Sequence, residues 1–383
     1  MTSVGWPFTL TAVLLLGCLA APGTAQDVGT ARDGRLGSLL DSVRASFDLP
    51  ALAAMSIHGD SVFEMAVAGV RAAGFPERVR TIDRWHLGSL TKAMTATLAA
   101  MLVERGVLSW TTSVHDVFPQ LADSIRPEFR DVRLDELLSH TSGISNQDVR
   151  TPSWSRLRSD TVPLPLQRRR WAAEFLQLRP SGERGTYQYA NGNYVVAGAM
   201  MEAVTGRAWE DLMRDDLFQL VGMIESGFGP PGSHETRDAP WGHWRVQQEW
   251  RSVAPGPFAD NPAAMGPAGN VHATLSDFAQ FVMEHLAGAN GIDGIVSAES
   301  FHKLHAVVSG NYALGWIVVE RDWARGPALT HSGSNAMWYA TVWIAPARNL
   351  AFVSVTNAGT DAAARATDRA IGVLLQRVQA AGQ

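Results

Sequence analysis

"HLGSLTKAMTATLAAML", residues 86–102, is the stretch from which the rest of this chain can be worked out. A glycine precedes its serine, a run of mostly strong helix formers follows, and Gly106 stands where a helix closes with a left-handed residue. The pattern predicts a helix from Ser89 to Glu104. That helix carries Lys92, one of only two lysines among the chain's 32 lysines and arginines; the other is Lys303. In a chain so committed to arginine, a lysine marks a position with a need arginine cannot meet. Arginine stays protonated in proteins, whereas a buried lysine can lose its proton and act as a base. Helical positions i and i+3 share a face, so Ser89 Oγ and Lys92 Nζ can meet. A lysine bonded to a serine hydroxyl is one way to turn the serine into a nucleophile.

Upstream, Gly37 to Phe47 has helical spacing, with Leu39, Leu40 and Val43 on one side. "ALAAMSIHGDSVFEMAVAGV" (51–70) predicts two strands reversing at Gly59 and Asp60. Downstream, helices and long loops dominate to about residue 290. Strands then return in "YALGWIVVE" (312–320), "ALTHSG" (328–333), "WYATVWIAP" (338–346) and "LAFVSVTN" (350–357), before a last amphipathic helix from Asp361 to Val378. Strands at both ends and helices between them predict an α+β fold. Its antiparallel sheet is formed from both chain ends and flanked by helices, with an inserted, mostly helical region at about 105–290. A cleft between sheet and helical region is the natural site, and Ser89 lies at that boundary.

With 383 residues, 46% of them hydrophobic, the chain has enough apolar material for a large core, here expected over 35–375. The net charge of -5 and the lack of a basic run beyond Arg168, Arg169 and Arg170 argue against a nucleic-acid partner. Those three arginines read as a solvated helix face. Residues 1–25 read as an export signal: Phe8 to Ala21 is apolar but short for a membrane span, and cleavage after Ala25 fits the small residues of "PGTAQ". No lysine or arginine precedes the apolar run, which departs from the usual pattern. The sole cysteine, Cys18, lies in "LLGC", which resembles a lipoprotein lipobox, so membrane anchoring through a lipid on Cys18 is a second form of the same expectation. The expected location is periplasmic or extracellular. Neither form leaves a disulfide or a cysteine nucleophile in the body of the chain.

Two further stretches carry candidate chemistry. In "YQYANGNY" (187–194), Tyr189 and Asn191 point the same way if the segment is extended, and the apolar run after them predicts a helix ending at Gly206. A phenol there can relay a proton if nearby cations lower its pKa. In "LTHSGSNAMWYA" (329–340), Gly333 weakens a strand and marks close approach by a ligand or another backbone. There is no G-x-S-x-G elbow and no H-E-x-x-H pair. "HKLH" (302–305) reads as surface or packing, and the Trp-rich "WGHWRVQQEW" (241–250) reads either as a wall of an acyl pocket or as packing over the helical region.

Ser-x-x-Lys, Tyr-x-Asn and His-Ser-Gly, in this order, give the chain a resemblance to the serine β-lactamase and penicillin-binding superfamily, its class C branch most closely. "LLSHTSGI" (137–144) and "GPAGNVHATLSDFAQF" (266–281) look like segments of the same superfamily, and the resemblance runs over about 35–375. It implies that Ser89 is acylated, with Lys92 as its base partner and Tyr189 assisting proton transfer. Asn191 would orient the substrate and Lys92, and His331 would stand where the third motif has a cation. Ser332 and Gly333 would line the substrate strand, with the N–H groups of Ser89 and Ser334 stabilising an oxyanion. The class C branch usually has lysine where this chain has His331, so a substrate carboxylate would be held less firmly. The expected activity is hydrolysis through an acyl-enzyme on an amide, peptide or ester, including peptidoglycan-like substrates, with no cofactor and no metal. A non-catalytic sensor acylated by β-lactams or muropeptides is the alternative; the complete Tyr-x-Asn motif weighs against it.

Overall fold

The computed structural model describes residues 34–148 and 151–381. The expected export signal and Cys18 lie outside the described residues. In strand order the main sheet runs Ser61–Gly69, Ala51–His58, Leu350–Thr356, Tyr339–Ala345, Gly326–Ser334 and Ile317–Arg321, every neighbouring pair antiparallel. The first hairpin thus pairs with the last strand, Ala54 opposite Ser354.

Side chains alternate between two apolar layers, as the two-residue period of a strand requires. Ala53, Met55, Ile57, Val353 and Val355 face a large core shared with Met94, Leu98, Phe278 and Val282. Leu52, Ala54, Leu350 and Phe352 face the opposite way, onto helices Arg35–Ser46 and Asp361–Ala381. Each fully enclosed leucine of that outer layer, such as Leu36 or Leu374, contributes about 1.5–3 kcal/mol. The sheet is therefore the middle of three layers.

The helix after Ser89 is Thr91–Glu104, preceded by a single 3-10 turn over Gly88–Leu90. Every residue from Thr91 to Leu102 is buried, so this helix is a central strut with no solvent face. Gly106, at φ +69°, follows its end as expected.

Three expectations change. The strand expected from Tyr312 begins only at Ile317, because Gly315 turns the chain at φ +83° against helix Thr91–Glu104. A Cβ there would fall 2.7 Å from Ala93 Cα. The middle of the chain also holds sheet. Arg84–His86, Val271–Thr274 and Gly227–Phe228 form three strands, and Gly242–Val246 pairs with Glu249–Val253. The turn of that hairpin uses Gln247 and Gln248, both at positive φ, where asparagine or glycine would have signalled it. Finally, Arg168 is not on a solvated face; it is fully buried in ion pairs with Glu202 and Glu210.

Candidate active site

Ser89 sits in the 3-10 turn where the central helix meets the edge of the His331 strand, and glycine sets that meeting. Gly88 takes φ +52°, and a Cβ on it would overlap Ser334 N. A Cβ on Gly333 would overlap Leu87 O and lie 2.6 Å from Ser89 N. The close approach read from Gly333 is thus made by another backbone, that of the serine turn. It brings the backbones of Ser89 and Ser334 into close approach. Thr91 Oγ1 donates to Gly88 O at 2.7 Å and accepts from Val271 N at 3.1 Å, tying the turn to the neighbouring small sheet.

Lys92 is fully buried, and its Nζ has three oxygen neighbours: Ser89 Oγ at 3.1 Å, Asn191 Oδ1 at 2.9 Å and Ala268 O at 2.7 Å. Burial pulls its pKa down to about 7, opposed by the charge of Asp148. Neutral Nζ has two protons and one lone pair. The amide and carbonyl oxygens can only accept, so they take both protons, and the lone pair is left facing the Ser89 hydroxyl. That is the arrangement a base needs.

Tyr189 completes the pair around the serine. Ala190 is extended (φ -151°, ψ 130°) and Asn191 is the first residue of helix Asn191–Thr205, so residues 189 and 191 reach the same site. The Tyr189 hydroxyl and Ser89 Oγ share a 2.8 Å hydrogen bond. The expectation that cations would lower the pKa of this phenol is reversed: burial raises it to about 12. Tyr189 is therefore kept as a protonated phenol, and Lys92 is the group whose neutral form is within reach near neutral pH. Asn191 is clamped from both ends, accepting from Lys92 and donating from Nδ2 to Asp148 Oδ2 at 2.9 Å.

His331 departs from the cationic role. Nδ1 lies 2.7 Å from Ser332 O, which can only accept, so Nδ1 carries the proton. Nε2 accepts from the Tyr312 hydroxyl at 3.2 Å. Burial, with Lys92 nearby, lowers its pKa to about 4. It is a neutral, doubly engaged ring. Ser332 shares a 3.2 Å bond with Thr341 Oγ1, and Ser334 Oγ donates to Trp338 O at 2.7 Å. A cleft of about 490 Å3 runs along this strand from Tyr187 and Tyr189 past His331 and Ser332 to Arg321 and Asp368.

The structure thus gathers Ser89, Lys92, Tyr189 and Asn191 into one hydrogen-bonded set, with His331, Ser332, Gly333 and Ser334 along its edge. Asp148, Ala268, Tyr312 and His140 were not expected there. The His140 ring packs 4.5 Å from Tyr189 and 5.0 Å from Tyr312, centroid to centroid. His140 and Ala268 belong to the segments 137–144 and 266–281, so their neighbourhood was signalled but not their contacts. The Trp-rich segment contributes nothing to the cleft lining: Trp250 packs on the outer layer and its indole donates to Asp48 O at 2.6 Å.

Comparison with known proteins agrees with this fold. The family model described as Beta-lactamase matches residues 38–376. Penicillin-binding protein 4 of Amycolatopsis lactamdurans is 28% identical over 333 residues, covering 83% of this chain and 84% of that protein. Among solved structures, the octameric penicillin-binding protein homologue from Pyrococcus abyssi superposes with a TM-score of 0.71 at 22% identity, over 90% of this chain and 78% of that one. The class C beta lactamase from Rhodobacter sphaeroides gives 0.68 at 21% identity, over 89% and 99%.

Proposed function

The chain belongs to the Beta-lactamase family of hydrolases, and on that premise we propose that it is a serine hydrolase working through an acyl-enzyme on small amides, peptides or esters. The observation that carries the proposal is the serine itself, whose Oγ is bonded by Lys92 Nζ at 3.1 Å and Tyr189 Oη at 2.8 Å. In acylation, neutral Lys92 takes the Ser89 proton as Oγ attacks the substrate carbonyl carbon. The N–H groups of Ser89 and Ser334 hold the resulting oxyanion; a single donor of this kind is worth about 3–4 kcal/mol. As the tetrahedral species collapses, Tyr189 protonates the leaving group and regains its proton from Lys92. In deacylation a water oxygen attacks the acyl carbon as its proton passes to the same pair, the carbonyl–Oγ bond breaks to release the acid, and Ser89 Oγ takes that proton back.

Neutral His331 shapes substrate choice. It offers no fixed positive charge to a substrate carboxylate, so the site favours neutral esters and amides over penicillins and cephalosporins. Export remains part of the proposal on the strength of residues 1–25 alone; the N-terminus of the mature protein, free at Gln26 or lipidated at Cys18, tests it.

The decisive assay is a panel of a nitrophenyl ester, a chromogenic cephalosporin, a D-Ala-D-Ala peptide and a D-amino amide, run on the wild type and Ser89→Ala. The variant should lose turnover at least a thousandfold and lose labelling by a fluorophosphonate. A label that persists on another serine would overturn the assignment. A wild type that acylates once and never releases product would be a sensor.

A further inference from the structure

Behind the serine turn lies a buried polar chain with no part in the proton transfers above. His86 is 1% exposed and Asp260 4%. His86 Nδ1 accepts from Gly88 N–H at 3.1 Å, so its proton must sit on Nε2, which donates to Asp260 Oδ2 at 2.8 Å. The other carboxylate oxygen, Oδ1, accepts from Asn335 Nδ2 at 2.9 Å and from Asn261 N at 2.7 Å. Asn335 in turn accepts from Met337 N and Trp338 N, both at 3.1 Å, and so shapes the loop that leaves Ser334. Trp338 closes the circuit by stacking on His86, centroids 5.5 Å apart.

Gly88 immediately precedes Ser89, and Asn335 immediately follows Ser334. One carboxylate therefore reaches the backbone beside both oxyanion donors, which belong to segments some 245 residues apart in sequence. We infer that Asp260 is a positioning residue that sets the spacing of the oxyanion hole, one arm acting through His86 on the Ser89 turn and the other through Asn335 on the Ser334 loop. The inference rests on the serine-hydrolase reading but concerns different residues. Donors aimed at a developing charge lose value steeply when displaced, because their advantage lies in being fixed before the reaction.

The tautomer supplies the test. In Asp260→Asn, the amide oxygen must stay at the Oδ1 position, where two N–H groups point at it. Its NH2 group then meets His86 Nε2–H. Moving the ring proton to Nδ1 only shifts the clash to Gly88 N–H. Either way the Gly88 arm is broken while volume is conserved.

With a nitrophenyl ester, Asp260→Asn should lower kcat ten- to a hundredfold and leave KM within about threefold. The affinity of an aryl boronic acid, which becomes a tetrahedral anion on Ser89 Oγ, should fall by the same factor as kcat/KM. A purely stabilising residue would lower the melting temperature and leave the boronate affinity of the folded protein unchanged. Asn335→Ala should lower kcat and boronate affinity through the second arm, and the double variant, with both arms broken, should be worse than either single variant by more than about threefold. Wild-type kcat in Asp260→Asn, or a lower kcat with unchanged boronate affinity, overturns the inference while the serine-hydrolase reading stands. If both single variants are unfolded at the assay temperature, the chain is a structural support and the inference is wrong. A wild type with no turnover and no serine adduct would instead remove the hydrolase reading itself.

Discussion

The chain's two lysines occupy opposite environments. Lys92 lies inside the molecule, fully buried, with three oxygen neighbours. Lys303 lies on the surface helix Ala298–His305, its side chain 38% exposed and 3.7 Å from Asp135. An exposed pair at that distance contributes about 0–1 kcal/mol, and arginine would serve as well. At Lys92 the enclosure changes the chemistry: desolvation brings its pKa down to about 7, so that a neutral amine is within reach near neutral pH. Identical side chains differ in chemistry because one has lost its water.

The comparison breaks most severely at Lys92→Arg, since arginine cannot present a lone pair to Ser89. Acylation, measured by pre-steady-state release of nitrophenol, should fall at least a hundredfold in protein that still melts cooperatively. Activity close to wild type would return Lys92 to the status of Lys303. Tyr189→Phe should follow, with kcat down about a hundredfold and KM nearly unchanged, within the span general acid–base catalysis supplies. A change of only a few-fold would make the phenol a packing group.

The pH profile sharpens the same contrast. Lys92 must be neutral to take the serine proton, so kcat/KM should rise with pH through about 7 and then level off. His331 at about 4 and Tyr189 at about 12 titrate on either side and cannot produce that limb. A limb retained in His331→Gln but absent from the residual activity of Lys92→Arg belongs to Lys92; a limb that moves with His331 refutes the assignment. The smallest effect belongs to Lys303→Arg, expected to stay within about 0.5 kcal/mol in stability and unchanged in turnover.

Much of the fold was legible because its signals are local. Apolar runs beside turn residues marked Ala51–His58 and Leu350–Thr356, and a run of helix formers closed by Gly106 marked Thr91–Glu104. The hairpin at Gly242–Val246 and Glu249–Val253 was missed because glutamines fill its turn, and Arg168 was misplaced because its partners Glu202 and Glu210 are remote in sequence. At the site, the three motifs named Ser89, Lys92, Tyr189, Asn191 and His331, whereas Asp148 and Tyr312 carry no signal of their own. Each became visible only through what it touches: Asn191 for the first, His331 for the second.

The sequence by itself determined which groups meet when the distance is local. Ser89 and Lys92 face each other because three residues make nearly one helical turn, and Tyr189 and Asn191 because an extended residue separates them. Only the tertiary structure decided their protonation. Lys92 is drawn toward neutrality, Tyr189 is kept as a phenol and His331 is kept uncharged by burial, and the groups that exclude water from them, such as Ala268, Tyr312 and His140, lie far off along the chain. The free energy of a charge depends on everything within a few ångströms of it. A one-dimensional pattern specifies its immediate neighbours along the chain, and folding alone supplies the rest.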